Sequence, residues 1–138
     1  MCASLRRASR VLTQLYDDAL RPLGLRATQF TVLQTLSLAG EVTQGLLGEI
    51  LAMDSTTLTR TLDILERRGW IAKRHGEDRR EWRLRLSKGG ETQLKRAVPA
   101  WRSVQDRLHA QLGNEAWENL FTLSHIVTSK VTRLGEMS

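Results

Sequence analysis

The chain has 138 residues, 41% of them hydrophobic, with 21 basic and 15 acidic side chains for a net charge of +6. That length suits one domain, or one domain with helical extensions, and the charge favours an anionic partner. A single cysteine, Cys2, excludes an intrachain disulfide and fits a reducing, cytoplasmic location; no apolar run nears the roughly 18 residues of a membrane span, and the N-terminus has no uninterrupted apolar stretch of a secretory signal.

Leu5, Ala8, Leu12, Leu15 and Ala19 recur at three and four residues and predict a first helix over about residues 4–20. Its start is basic, but Asp17 and Asp18 follow, and the apolar stripe suits packing better than a membrane surface. Pro22 and Gly24 break it. Thr28 is placed to cap a second helix, with Phe30, Leu33 and Leu36 inward and Gly40 at its end. Thr43 is placed to cap a third, whose apolar positions are Leu46, Leu47, Ile50 and Leu51. Ala52–Met53–Asp54 is then a tight turn into a fourth helix, with Asp54 as N-cap and Gly69 closing it. Leu58, Leu62 and Leu65 form its buried stripe; Thr56, Thr59, Arg60, Asp63 and Arg67 lie opposite. Two short helices joined by about three residues, the second with a polar face, form a helix-turn-helix. An ordinary amphipathic helix would carry the same stripe. Hydroxyls beside an arginine, however, match base edges and phosphates in a major groove, which singles out Ser55, Thr56, Thr57, Thr59 and Arg60.

The period then changes. Trp70–Arg74 is a short strand candidate, residues 75–80 a turn, and Trp82, Leu84 and Leu86 alternate with Arg83 and Arg85 as a second strand. A hairpin directly after a helix-turn-helix defines a winged helix. Arg79 and Arg80 lie at its tip and Arg83 on its second strand, where they could meet a minor groove or phosphates. From Arg60 to Lys88 there are 10 basic and 5 acidic residues, net +5, so most of the excess charge sits in one block.

Ser87 can cap the next helix, although Gly89 and Gly90 should weaken its first turn. Leu94, Ala97, Trp101, Val104 and Leu108 carry its pattern, and Pro99 should bend it. After a break at Gly113, with Asn114 as cap, a last helix over about residues 115–134 has Trp117, Leu120, Leu123, Val127, Val131 and Leu134 on its apolar face. The terminal helices exceed what a small winged lobe can cover, and a symmetric dimer would bury their surplus apolar surface. The expected fold is therefore mostly α: a winged helix-turn-helix lobe over residues 28–90 with a two-stranded hairpin wing, and a helical dimerisation region formed by residues 1–27 and 91–138.

Other constellations point elsewhere only weakly. His75, His109 and His125 lack partners at metal-ligand spacing, so no metal is expected. No nucleophile–base arrangement, phosphate-cradling loop or paired carboxylates appear, so neither catalysis nor a cofactor is expected. Trp101 and Trp117 suit core or interface packing. A winged-helix module that uses its basic face to hold an acidic protein partner is the rival to a DNA binder.

LRPLGLRATQFTVLQTL (Leu20–Leu36), the segment Leu47–Gly69 and DRREWRLRLSKGG (Asp78–Gly90) together resemble the MarR family of bacterial transcriptional regulators, over essentially the whole chain. The last segment is similar to that family's wing signature, carried here by Asp78, Arg80, Leu84, Leu86, Ser87 and Gly90. The resemblance implies a homodimeric regulator, a repressor more readily than an activator, on a pseudo-palindromic operator in double-stranded DNA. It implies that Asp78 steadies Arg80 as that arginine enters the minor groove. It also implies release by a small lipophilic or phenolic effector or an oxidant. Cys2, Ser9–Arg10 and Tyr16 resemble the start of the family's organic-hydroperoxide sensors, in which the cysteine is oxidised and tyrosines of the other subunit hold it. Two departures stand beside this: Tyr16 is the only tyrosine, and Ala27 stands where that subgroup has a second. The alternative is an incidental cysteine and a non-covalent ligand near Tyr16, Trp101 and Trp117.

Overall fold

The computed structural model describes residues 1–137. They form two compact units, one from Met1 to Trp101 and one from Arg102 onward. No helix among the described residues is long and apolar enough to cross a membrane.

The first unit opens with α1 (Cys2–Leu20) and a single 3-10 turn at Arg21–Leu23. Pro22 lies in that turn, and Gly24 leaves it at φ 72°, a left-handed conformation that glycine adopts without a Cβ clash. α2 (Ala27–Ala39) starts one residue before the expected cap. Thr28 therefore lies inside the helix. Its capping work falls to α1, because Asp17 Oδ1 accepts a hydrogen bond from the Ala27 amide at 2.7 Å, and to Gln29, whose Oε1 accepts from the Arg26 amide at 3.1 Å. A carboxylate satisfies a free helical N–H whichever residue supplies it.

After a two-residue strand, β1 (Val42–Thr43), come α3 (Gln44–Leu51) and α4 (Ser55–Arg67). Thr43 caps α3 as expected, its hydroxyl accepting from the Leu46 amide at 3.1 Å. Of the apolar positions in α3 only Leu47 is fully buried; Leu46 and Ile50 stay about half exposed, because an eight-residue helix is covered on one side only. Ala52 makes the turn to α4 with φ 50°. Gly69, at φ 75°, closes α4 as expected, and the Trp70 amide reaches back to the Leu65 carbonyl at 3.0 Å.

β2 (Ile71–His75) and β3 (Trp82–Leu86) form the hairpin. The sheet has three strands in the order β1-β3-β2, all antiparallel, with Val42 opposite Leu84 and His75 opposite Trp82. β1 went unanticipated because two residues cannot show an alternation. Leu20, Phe30, Leu33, Leu36, Leu47, Leu58, Leu62, Leu65, Ile71 and Leu84 make the core, so every element of the lobe contributes to one cluster.

α5 (Lys88–Leu112) begins in this unit and carries Pro99 within an unbroken helix. Ser87 is its cap, accepting from the Gly90 amide at 3.0 Å and donating to the Gly69 carbonyl at 2.5 Å. The two glycines, expected to weaken this turn, prove to be what lets it form. A Cβ on Gly90 would stand 1.9 Å from the Trp70 carbonyl oxygen, and one on Gly89 3.0 Å from that of Gly69.

The second unit comprises the distal part of α5 and α6 (Asn114–Glu136). Gly113, at φ 81°, precedes α6, so Asn114 is its first residue and not its cap. The Asn114 side chain turns instead to His109, 2.6 Å away. His109 also stacks on Trp117, whose ring meets Phe121 edge-on. No residue of α6 is fully buried, and Leu120, Leu123, Val127, Val131 and Leu134 remain exposed. In the first unit, α1 likewise exposes Leu5 and Val11.

Candidate nucleic-acid interface

The N-terminal half of α4 presents its polar side chains because Leu58, Leu62 and Leu65 are locked into the core at 0–2% exposure. At 100° per residue, the face opposite that stripe is centred on Thr56, Arg60, Asp63 and Arg67, with Thr59 on one shoulder and Thr57 on the other. Ser55, Thr56, Thr57, Thr59 and Arg60 are all exposed. Asp54 fixes the first turn: its carboxylate accepts from both the amide and the hydroxyl of Thr57, each at 2.8 Å. The amide bond from Thr57 foremost, and its hydroxyl bond next, hold the Asp54 carboxyl below its usual pKa. On the other shoulder, Gln44 Nε2 of α3 donates to Thr59 Oγ1 at 3.2 Å, tying the two helices of the motif together through their polar surface.

The wing tip is a compact turn. The Gly76 amide donates to the Glu81 carbonyl at 2.8 Å and the Glu81 amide to the Asp78 carbonyl at 2.9 Å. Asp78 Oδ1 accepts from the Arg80 backbone amide at 3.0 Å. The structure thus places Asp78 on the backbone of Arg80, not on its guanidinium, and leaves the side chains of Arg79 and Arg80 exposed.

Arg83 has a different setting. Glu41, just before β1, accepts from Arg74 Nη2 at 2.5 Å and from Arg83 Nε at 3.0 Å, while Glu81 accepts from Arg83 Nη1 at 3.1 Å. The hydrogen bond from Arg74, followed by that from Arg83, lowers the Glu41 pKa; the bond to Glu81, followed by that to Glu41, raises that of Arg83. Arg83 is therefore held by carboxylates next to the tip, whereas Arg79 and Arg80 project free of such carboxylate partners among the described residues. Trp82 packs the wing's flank, with the His75 ring 3.9 Å from it between centroids and the Lys73 ammonium 5.0 Å over its face.

Two residues that matter here had no signal in the sequence. Gln44 is a single polar residue between a cap and an apolar run, and its partner lies 15 positions on. Glu41 reaches Arg83 across 42 positions. No periodicity within one element reports a contact between two.

The sensing candidates fall into separate settings. Cys2 is exposed at the start of α1. Tyr16, on the same helix, packs half-buried on the core, and that burial raises its hydroxyl pKa. One continuous α-helix between them sets them about 21 Å apart at about 1.5 Å per residue. Trp101 stacks on Phe30 at 5.6 Å in the first unit, and Trp117 on His109 in the second. Among the described residues, no three His, Cys, Asp or Glu side chains converge as a metal site.

Comparison with known proteins gives a consistent result. A model of the MarR family matches residues 25–82. An uncharacterized HTH-type transcriptional regulator of Bacillus subtilis, YwoH, is 30% identical over 122 residues, covering 86% of this chain and 89% of its own. Among solved structures, the M. tuberculosis transcriptional regulator MosR in complex with DNA superimposes with a TM-score of 0.87 at 36% identity, covering 97% of both chains. A mutant MarR from E. coli complexed with operator DNA gives a TM-score of 0.81 at 25% identity over 91% of both chains.

Proposed function

The chain belongs to the MarR family of DNA-binding transcriptional regulators, and from that premise we propose that it binds a pseudo-palindromic operator in double-stranded DNA as a homodimer. In this reading it is a cytoplasmic repressor that a small lipophilic or phenolic effector, or an oxidant, releases. The observation that carries the operator reading is the exposed hydroxyl-and-arginine face of α4, rigidly capped and flanked by an arginine-tipped wing. That face is the size of a major-groove reader. The wing tip offers two guanidiniums without local carboxylate partners, which suits the narrower and more negative minor groove. That MosR and mutant MarR, whose folds this chain matches, are each found in complex with DNA supports DNA as the partner.

The dimer rests on the apolar side chains that α1 and α6 each leave uncovered. A two-fold pair of α4 helices reads two half-sites centred about 34–36 Å apart, one helical turn of DNA.

Selection from a random duplex pool in rising salt tests the reading. The protein should enrich an inverted repeat with about a thousandfold preference or more, and should lose affinity steeply as salt rises. Failure to enrich any sequence would overturn it. The nature of the signal is tested by operator binding of wild type and Cys2→Ser with and without a lipophilic hydroperoxide. Loss of response only in the variant establishes Cys2 as the sensor; an equal response in both, or none in either, ends the Cys2 reading.

A further inference from the structure

Threonines inside helices usually turn the hydroxyl hydrogen back onto their own backbone. Thr31, Thr35, Thr61 and Thr92 do so here, each donating to the carbonyl four residues earlier at 2.8–3.1 Å. Thr59 makes no such bond to Ser55. It accepts from Gln44 Nε2 instead, at 3.2 Å. A hydroxyl has one hydrogen and two lone pairs, and an amide nitrogen can only donate. Gln44 therefore occupies one lone pair on the α3 side and leaves the second lone pair and the hydrogen, for which no acceptor is found among the described residues, to whatever lies in front of α4. Thr57, on the opposite shoulder, is the reverse case. Its hydrogen is consumed by Asp54 Oδ2 at 2.8 Å, so outward it can only accept.

We infer that Gln44 is a specificity-setting residue that fixes Thr59 as a hydrogen-bond donor toward the DNA, so that Thr59 reads an acceptor edge and rejects cytosine. In the major groove guanine offers N7 and O6, adenine N7 and thymine O4, whereas cytosine offers only its N4 donor. At cytosine the second lone pair can accept from N4, but the desolvated Thr59 O–H is then left without an acceptor. The inference rests on the reading that α4 enters the major groove. It adds to that reading a residue on the other helix, one that acts through Thr59 without itself touching the base.

The test is binding-site selection on random duplex DNA with the full-length protein: wild type, Thr59→Val, Gln44→Leu and Gln44→Glu, with thermal unfolding confirming that each variant folds. Thr59→Val identifies the base pair concerned as the one whose preference flattens. Wild type should exclude cytosine there by about tenfold, the scale of one good polar contact. Gln44→Leu should keep the inverted repeat while admitting cytosine at that pair. Gln44→Glu should go further and favour cytosine, because a carboxylate takes the Thr59 hydrogen and turns the hydroxyl into an acceptor. An unchanged preference at that pair in Gln44→Leu, or no pair that responds to Thr59→Val, would overturn the inference while the operator reading stands. If wild type itself enriches nothing, the operator reading has failed and the inference falls with it.

Discussion

A missing methyl group at Gly90 decides how the wing meets the helix behind it. Ser87 and Gly90 close on each other and on the backbone of residues 69–70, leaving no room for a Cβ 1.9 Å from the Trp70 oxygen. Gly90→Ala should destabilise the protein by about 1–3 kcal/mol or more, measured by urea unfolding, since backbone has to shift. The sequence showed the Ser–x–x–Gly spacing but suggested a weak helix start. A propensity scale scores a glycine by its own freedom and is blind to the carbonyl that faces it. The carboxylates give a second prediction. Asp54 and Glu41 both have folded pKa values lowered from 3.8 and 4.5. For a lowered carboxylate the stabilisation is fully present above the unfolded value and is lost as pH falls through the folded one. The melting temperature should thus be insensitive to these groups near neutrality and decline below about pH 4, with a shallower decline in Asp54→Asn.

Elements were legible where one stretch carries its own signal. The α4 stripe, the Thr43 and Asp54 caps and the β3 alternation are all local patterns, and each formed as read, while β2, which shows no such alternation, runs one residue later than Trp70–Arg74. Features built between stretches were not: β1, the Asp17 cap on α2, the Glu41 bridge and the Gln44 bond each join residues at least 10 positions apart. The helix-turn-helix should lose about 1 kcal/mol in Thr43→Ala, the usual cost of a lost hydroxyl cap, read by chemical denaturation. Within the interface, Arg60→Ala should lower affinity and relax specificity at one base pair, by about 1–3 kcal/mol. Arg80→Ala should weaken binding almost evenly across sequences, because a wing in a minor groove senses charge and width more than base identity. Unchanged operator binding by Arg80→Ala would remove the wing from the interface.

At the scale of the molecule, the proposed dimer rests on the uncovered apolar side chains of α1 and of α6. Sedimentation at micromolar concentration should show a dimer, and charged substitutions at Leu123 and Val127 should shift it toward monomer and abolish operator binding together. A stable wild-type monomer would remove the two-fold operator. The strand order has a further consequence, for the way the complex comes apart. β3 is bonded along both edges, Leu84 facing Val42 on one side and Lys73 on the other, while the tip beyond His75 and Trp82 is held by its own turn and by the single side-chain pair of Glu81 with Arg83. Opening free energies follow such closure, lowest at a loop and highest in an enclosed strand. Deuterium should enter the amides of residues 76–81 long before that of Leu84. Arg79 and Arg80 ride on the part that frays, so dissociation should begin with the wing letting go while α4 is still seated, giving a short-lived half-released state from which the protein can re-engage without leaving its site.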